Sequence, residues 1–131
     1  MPEWTFKISP IAASRPRISR CRAYFTGPYK VFREAMIDIV PNTLGDGFIP
    51  YDKPLKVDVE LYVKRPKKTK LLTPRADIDN YLKAVFDSLN AKLWDDDKQI
   101  ISVYATKQWA QPGEEGYFVL GLEECNDGGA E

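Results

Sequence analysis

Alternating apolar and polar side chains predict strands in several parts of the chain. The clearest alternation covers residues 55–63, where five aliphatic positions are separated by charged or tyrosine side chains. A shorter alternation begins at Trp4 and stops at Pro10, and two later strands, at about 100–109 and 116–122, are predicted around a hairpin turn at 111–115. Residues 11–27 are basic and turn-rich, which predicts either a loop or a hairpin with Ile18 and Tyr24-Phe25 as short strand pieces.

Helical spacing marks two further segments. Pro28 suits the first turn of a helix, and apolar residues then recur three and four positions apart up to Pro41. Residues 41–54 are rich in Pro and Gly and are predicted to be loop. Asp79 stands at the expected N-cap of the second helix. Four apolar side chains form one stripe on that helix: Leu82, Val85, Phe86 and Leu89.

The order β-α-β-α-β-β predicts an α+β fold, a two-layer sandwich in which two main helices pack on a mixed β-sheet. A chain of 131 residues suits a single domain, which we place at residues 1–123, with a polar C-terminal tail at 124–131. No apolar run approaches the roughly 20 residues of a membrane helix, and the N-terminus lacks the apolar core of a signal peptide. The two lone cysteines fit a reducing cytoplasm.

Histidine is absent, which excludes Ser-His-Asp and Cys-His catalysis and every metal site that uses imidazole. Catalysis would therefore depend on carboxylates, lysine, arginine or tyrosine. No Gly-Lys-Ser/Thr loop occurs, so the sequence gives no sign of a nucleotide cofactor.

The net charge of zero conceals a marked asymmetry. Residues 1–75 hold 15 basic and 7 acidic side chains, a sum of +8, and residues 76–131 hold 4 and 12, a sum of −8. The basic half contains two dense stretches, at 15–22 and 64–75. Such a division indicates a polyanionic partner for the basic part, although two solvated loops would give the same pattern.

Asp77 and Asp79 stand two residues apart just before the second helix, where an extended backbone can point both carboxylates the same way. Two hard oxygen donors at a helix start suit Mg²⁺ or Mn²⁺, which need few protein ligands. A third carboxylate could come from the acidic run at 95–97. The alternative interpretation is structural, with Asp79 as an ordinary N-cap and Asp77 as a solvated loop residue.

Two motifs resemble those of the RusA family, Holliday-junction resolvases of bacteria and their phages. Residues 75–90, RADIDNYLKAVFDSLN, resemble the signature R-x-D-x-D-N-x-x-K-A-x-x-D-x-L, and residues 94–101, WDDDKQII, resemble W-x-D-D-x-Q-[VI]. Upstream, Arg15-Pro16-Arg17 is similar to the basic R-P-R segment of the family. The resemblance spans roughly residues 4–123.

The resemblance implies a set of site residues. Asp77, Asp79 and Asp97 match the metal-ligating carboxylates, and Asp96 is the alternative to Asp97 because Asp95 makes a run of three acids. Lys83 matches the lysine needed for cleavage. Phosphates of DNA would be held by basic residues of both stretches: Arg15, Arg17, Lys67, Lys68, Lys70 and Arg75.

The resemblance also implies a function and partners. Family members are homodimers that resolve four-way DNA junctions by paired nicks in opposed strands, in recombination and repair. We therefore expect a crossover junction endodeoxyribonuclease that uses Mg²⁺, with Mn²⁺ as a substitute, in a bacterial cytoplasm and without a membrane partner. Two other functions remain open: a catalytically silent junction-binding protein, and a nucleotide-sugar transferase in which Asp77 and Asp79 hold Mn²⁺.

Overall fold

The structure, a computed structural model, describes residues 1–14, 17–20, 22–24 and 27–125. Its elements in chain order are β1 (Glu3–Phe6), β2 (Arg17–Ser19), β3 (Arg22–Tyr24), α1 (Gly27–Leu44), β4 (Leu55–Val63), α2 (Ile78–Leu89), a 3₁₀ turn (Asp97–Gln99), β5 (Ile100–Trp109) and β6 (Tyr117–Glu124).

Four strands form one mixed sheet in the order β1-β6-β4-β5. Strand β6 runs antiparallel to β1 and β4, whereas β4 and β5 are parallel. The alternation along β4 has the expected consequence, because four of its five aliphatic side chains are buried and the intervening polar ones are exposed or half-buried. The fifth, Val63 at the end of the strand, is half-buried. The prediction of an α+β fold with a mixed sheet and two helices is confirmed, although the separate hairpin β2–β3 makes it less simple than a plain two-layer sandwich.

The connection from β4 to β5 decides where the functional side chains lie. Parallel neighbouring strands point the same way, so the chain must travel back along the sheet between them, and here α2 makes that return. Helix α2 therefore begins near the carboxyl end of β4 and ends near the amino end of β5. Residues just before α2 and residues just before β5 are consequently at opposite ends of this unit.

Helix α1 is longer than the sequence predicts. It continues through Pro41 to Leu44, so residues 41–44 are helical rather than loop. Proline removes one N–H, but the last turn is held by two other bonds: the Thr43 hydroxyl donates to the Ile39 carbonyl at 2.8 Å, and the Gly45 N–H donates to the Pro41 carbonyl at 2.9 Å. Burial of Val40 against the core adds to these bonds.

The structure also refines the prediction for residues 11–27 and for the last strand. Of the two possibilities for residues 11–27, the hairpin is confirmed, with Ile18 opposite Ala23, while Phe25 lies outside the described residues. The last strand extends to Glu124 instead of stopping at Leu122, because Leu55 pairs with Glu124 across the sheet. The prediction of a hairpin turn at 111–115 is wrong, because β4 lies between β5 and β6 and pairs with both. Residues 126–131 of the predicted tail lie outside the described residues.

Among the glycines that the structure describes, Gly116 is the one whose lack of a side chain is required by its surroundings. A Cβ atom there would lie 2.5 Å from the Ser9 hydroxyl oxygen and 2.6 Å from the Tyr62 carbonyl oxygen. The turn into β6 can therefore pack against the end of β4 only with glycine at this position.

Candidate active site

Asp77 and Asp79, hereafter the paired aspartates, stand at the start of α2. Asp77, not Asp79 as predicted, is the N-cap residue, and it has the extended backbone (φ −67°, ψ 144°) that such a position requires. Its side chain makes no capping hydrogen bond, and both carboxylates are exposed. The α2 N-terminus thus receives two negative charges that are not used for capping.

The segment before the paired aspartates is held by side chains of β5. Residues 64–76 make no backbone–backbone hydrogen bond with one another in the described part of the chain. Instead, the Lys107 ammonium donates to the Pro74 carbonyl at 2.9 Å and to the Ala76 carbonyl at 2.6 Å, and the Trp109 indole N–H donates to the Leu71 carbonyl at 3.0 Å. Lys107 therefore fixes the backbone that leads directly into Asp77.

Charged side chains also lie along the polar face of α2. Asp79, Lys83 and Asp87 are spaced four residues apart and share that face. Lys83 donates to the Asp87 carboxylate at 3.2 Å, with the lysine largely exposed and the aspartate only 29 % exposed. This contact makes Asp87 a helix-surface partner of Lys83.

The acidic run after α2 forms a capped 3₁₀ turn. The Asp96 carboxylate accepts from the Lys98 N–H at 2.9 Å, and the Gln99 side-chain oxygen accepts from the Asp96 N–H at 2.8 Å, which together make a capping box. The Gln99 amide also donates to the Tyr51 and Lys53 carbonyls at 2.9 and 3.0 Å. Gln99 thus ties the acidic turn to the loop before β4.

The pKa values of Asp96 and Asp97 shift in opposite directions because the two carboxyl groups have different surroundings. The hydrogen bond from the Lys98 N–H lowers the pKa of Asp96. Desolvation raises the pKa of Asp97, and the hydrogen bond to Asp96 and the charges of Asp96 and Asp87 raise it further, against a hydrogen bond from Asn90. Asp97 is therefore the member of the pair that binds a proton more readily, and an adjacent cation would relieve its repulsion from its neighbours.

Asn90 connects Asp97 to the core. Its side-chain oxygen accepts from the indole N–H of the fully buried Trp94 at 2.7 Å, which leaves its NH₂ group available to Asp97. The tryptophan of the W-x-D-D-x-Q motif thus orients the amide that supports the motif aspartate. The sequence places Trp94 at the start of the W-x-D-D-x-Q motif but indicates no role for Asn90.

The predicted carboxylates do not form one cluster. Within the described residues, no three Asp, Glu, Cys or His side chains are close enough to hold one metal ion. The paired aspartates lie at the start of α2, whereas Asp97 lies beside Asn90 and Asp87 at its end. The donor chemistry of the paired aspartates nevertheless fits Mg²⁺, which is bound through one or two carboxylates, with waters and substrate phosphates as its other ligands.

The second basic stretch is exposed and precedes the paired aspartates in the chain. Lys67, Lys68 and Lys70, hereafter the loop lysines, and Arg75 have exposed side chains that make no ion pair with any described residue. Lys64, in contrast, pairs with Glu115 at 3.1 Å. In the first stretch, Arg15 lies outside the described residues, as does the side chain of Arg17, whose backbone begins β2.

A groove of about 470 Å³ runs between α1 and α2 and reaches the Asp97 end of the site. Asp87 and Asn90 line it on the α2 side, and Lys30 and Lys92 add positive charge. No sequence pattern predicts this groove, because it depends on how the two helices pack.

Comparison with known proteins gives two matches. The sequence profile of the family described as endodeoxyribonuclease RusA matches residues 7–115 of the 131-residue chain. A Bacillus subtilis (strain 168) protein, uncharacterized protein YqaN, is 27% identical in an alignment that covers 83% of this chain and 88% of that protein.

Proposed function

Because the chain belongs to the RusA endodeoxyribonuclease family, we propose that it is a Mg²⁺-dependent endonuclease that resolves four-way DNA junctions by paired nicks in opposed strands. It acts as a homodimer in recombination and repair, and Mn²⁺ substitutes for Mg²⁺. The observation that carries the proposal is the pair of exposed, uncapped carboxylates at the start of α2, directly after an exposed basic segment.

Each part of the site has a chemical task in this proposal. Asp77 and Asp79 hold the metal ion, which when bound activates water and stabilises charge on the phosphorus. Lys83 lies one helical turn from Asp79 and is largely exposed, so its ammonium can turn from Asp87 to the scissile phosphate and neutralise charge there. Asp97 supplies a further carboxylate, with Asp96 as the alternative.

In this proposal, basic side chains of the protein hold DNA through its backbone phosphates. The loop lysines and Arg75 present unpaired positive charge in the segment that leads into the paired aspartates, which by themselves would repel DNA. Arg15 and Arg17 belong to the same platform in this proposal. A junction is distinguished from linear duplex by its shape, so phosphate contacts of this kind suffice without reading of bases.

The proposed substrate implies a bacterial cytoplasm, where chromosomal and phage DNA are found. Of the helices that the structure describes, neither could cross a membrane.

The second candidate is a junction-binding protein without nuclease activity. It is favoured by the lack, within the described part of one chain, of three acids around a common point and by the Lys83–Asp87 ion pair. In that case Asp96 caps the 3₁₀ turn and the paired aspartates contribute only to solubility.

One assay separates the candidates. A labelled four-way junction and a linear duplex of the same sequence are incubated with the protein in Mg²⁺ and in EDTA. We expect cleavage of the junction in Mg²⁺ and binding without cleavage in EDTA. Binding without cleavage in both would favour the second candidate, and equal affinity for junction and duplex would refute both.

A further inference from the structure

The two parts of the site are too far apart in one chain to share a metal ion. Helix α2 rises about 1.5 Å per residue, so the 11 steps from Ile78 to Leu89 separate its ends by about 17 Å. Two ligands of the same Mg²⁺ each lie about 2.1 Å from it. An aspartate side chain cannot span the difference.

Strand β5 gives an independent measure of the same separation. Lys107 contacts Ala76, the neighbour of Asp77, while Ile100 follows directly on the 3₁₀ turn that holds Asp97. The seven steps between them correspond to about 23 Å of strand. Both measures place Asp97 and the paired aspartates at opposite ends of the β4–α2–β5 unit.

The outer edge of β5 offers a route by which a second copy can close this gap. β5 is the last strand of the sheet, and residues 100–106 carry no charged side chain to protect that edge. Three apolar side chains of this strand are exposed: Ile101 by 62%, Val103 by 41% and Tyr104 by 70%. An edge of this kind favours pairing with another strand.

A two-fold axis near Val103 would pair two β5 edges antiparallel, so that residue 100 of one copy faces residue 106 of the other. Continuing that register places residue 97 of one copy near residue 109 of the other, at the end where Lys107 holds Ala76. A two-fold contact is reciprocal, so both copies are completed in the same way.

From this geometry we infer that each active site takes its paired aspartates from one copy of the chain and Asp97 from the second copy. The inference rests on the proposed function for the identity of the three acids. It adds that a single chain holds no complete site, so that dimerisation is a condition of cleavage.

Heterodimers of inactive variants test the inference. Asp79→Asn and Asp97→Asn are co-expressed with different tags, and the mixed dimer is purified through both. If the sites are shared, one of its two sites carries no substitution, and it nicks junctions at about half the rate of the unchanged dimer. If each site lies within one chain, both sites are damaged and no nick appears.

The reciprocal heterodimer is the matched control. One copy carries both substitutions and the other carries none. Shared sites leave this dimer inactive, because each site then receives one altered residue, whereas sites within one chain leave it half active. A half-active control with an inactive first heterodimer overturns the inference.

Manganese binding provides a measurement that does not depend on cleavage. Calorimetric titration with Mn²⁺ should give the first heterodimer half the bound Mn²⁺ of the unchanged dimer, at the same affinity, and the reciprocal heterodimer none. The reverse pattern overturns shared sites even if the protein cleaves no junction, in which case the proposed function fails separately.

The proposed surface has its own test. Val103→Glu should convert the dimer to a monomer in sedimentation velocity and remove Mn²⁺ binding while circular dichroism stays unchanged. Val31→Glu, an equally polar change at an exposed position of α1, should leave the dimer intact. A Val103→Glu protein that remains dimeric overturns the assignment of the β5 edge.

Discussion

Replacing Gln99 by leucine should destabilise the protein although the side chain is only half-buried. Gln99 makes three hydrogen bonds, one accepted from Asp96 and two donated to the Tyr51 and Lys53 carbonyls, at 2.8 to 3.0 Å. A hydrogen bond contributes about 0.5–1.5 kcal/mol net, and the contact with Lys53 is exposed to water, which reduces its share. We therefore expect a loss of about 2–3 kcal/mol in the free energy of unfolding.

Urea denaturation followed by tryptophan fluorescence measures this loss, and an unchanged m-value would show that the unfolding reaction itself is the same. Gln111→Leu is the matched control, because Gln111 is exposed in the turn between β5 and β6 and its side chain makes no hydrogen bond with the described residues. The control should change stability by less than about 0.5 kcal/mol. Equal stability of the two variants would refute the role assigned to Gln99.

Further predictions concern chemistry, charge and position. Asparagine at either paired aspartate or at Asp97 should abolish junction cleavage and leave junction binding intact or tighter, whereas Asp95→Asn stays active; an inactive Asp96→Asn with an active Asp97→Asn would exchange those two roles. Changing the three loop lysines to alanine should weaken junction binding and make the slope of log affinity against log salt concentration less steep by about 0.9 per lost phosphate contact. An unchanged slope would show that these lysines do not contact DNA. Asp97→Asn should raise the melting temperature at neutral pH without metal. The stability linked to its raised pKa is present at low pH and lost as pH rises through that pKa, so the gain should vanish in acid, and a gain that persists there would contradict the assignment. Lys107→Met should weaken Mn²⁺ binding and speed limited proteolysis within residues 71–77, because the lysine holds the carbonyls of Pro74 and Ala76. Lys107→Arg should restore part of both, and unaltered proteolysis would show that the lysine does not anchor this segment.

Most of the fold follows from local patterns in the sequence. The alternation of β4 and the apolar stripe of α2 are repeated signals of a single period, so they predict element type well. Pro41 misled the prediction for α1 because a proline signal is local, whereas Val40 is held by packing against the core. Asp79 was assigned as N-cap for a similar reason, since Asp77 has an equally suitable side chain and only the backbone distinguishes them.

The residues of the candidate site were identifiable from motifs, but their spatial relation was not. Sequence spacing places Asp97 only 18 positions after Asp79, and nothing local shows that a complete helix runs between them and separates their ends. Lys107 gave no signal, because in a strand pattern it is only a polar position, and its function depends on the carbonyls that a distant loop presents to it. Contacts of this kind depend on tertiary packing rather than on local periodicity.

The central claim, that the paired aspartates support metal-dependent cutting of opposed strands, is tested most directly by mapping nicks on a four-way junction. Each of the four strands is labelled in turn and incubated with excess protein in Mg²⁺, with Asp79→Asn as the comparison. The account predicts nicks at symmetric positions in two opposed strands for the unchanged protein, and junction binding without nicks for the variant. Cleavage by Asp79→Asn at the unchanged rate, or cleavage of the junction by the unchanged protein in EDTA, would contradict it.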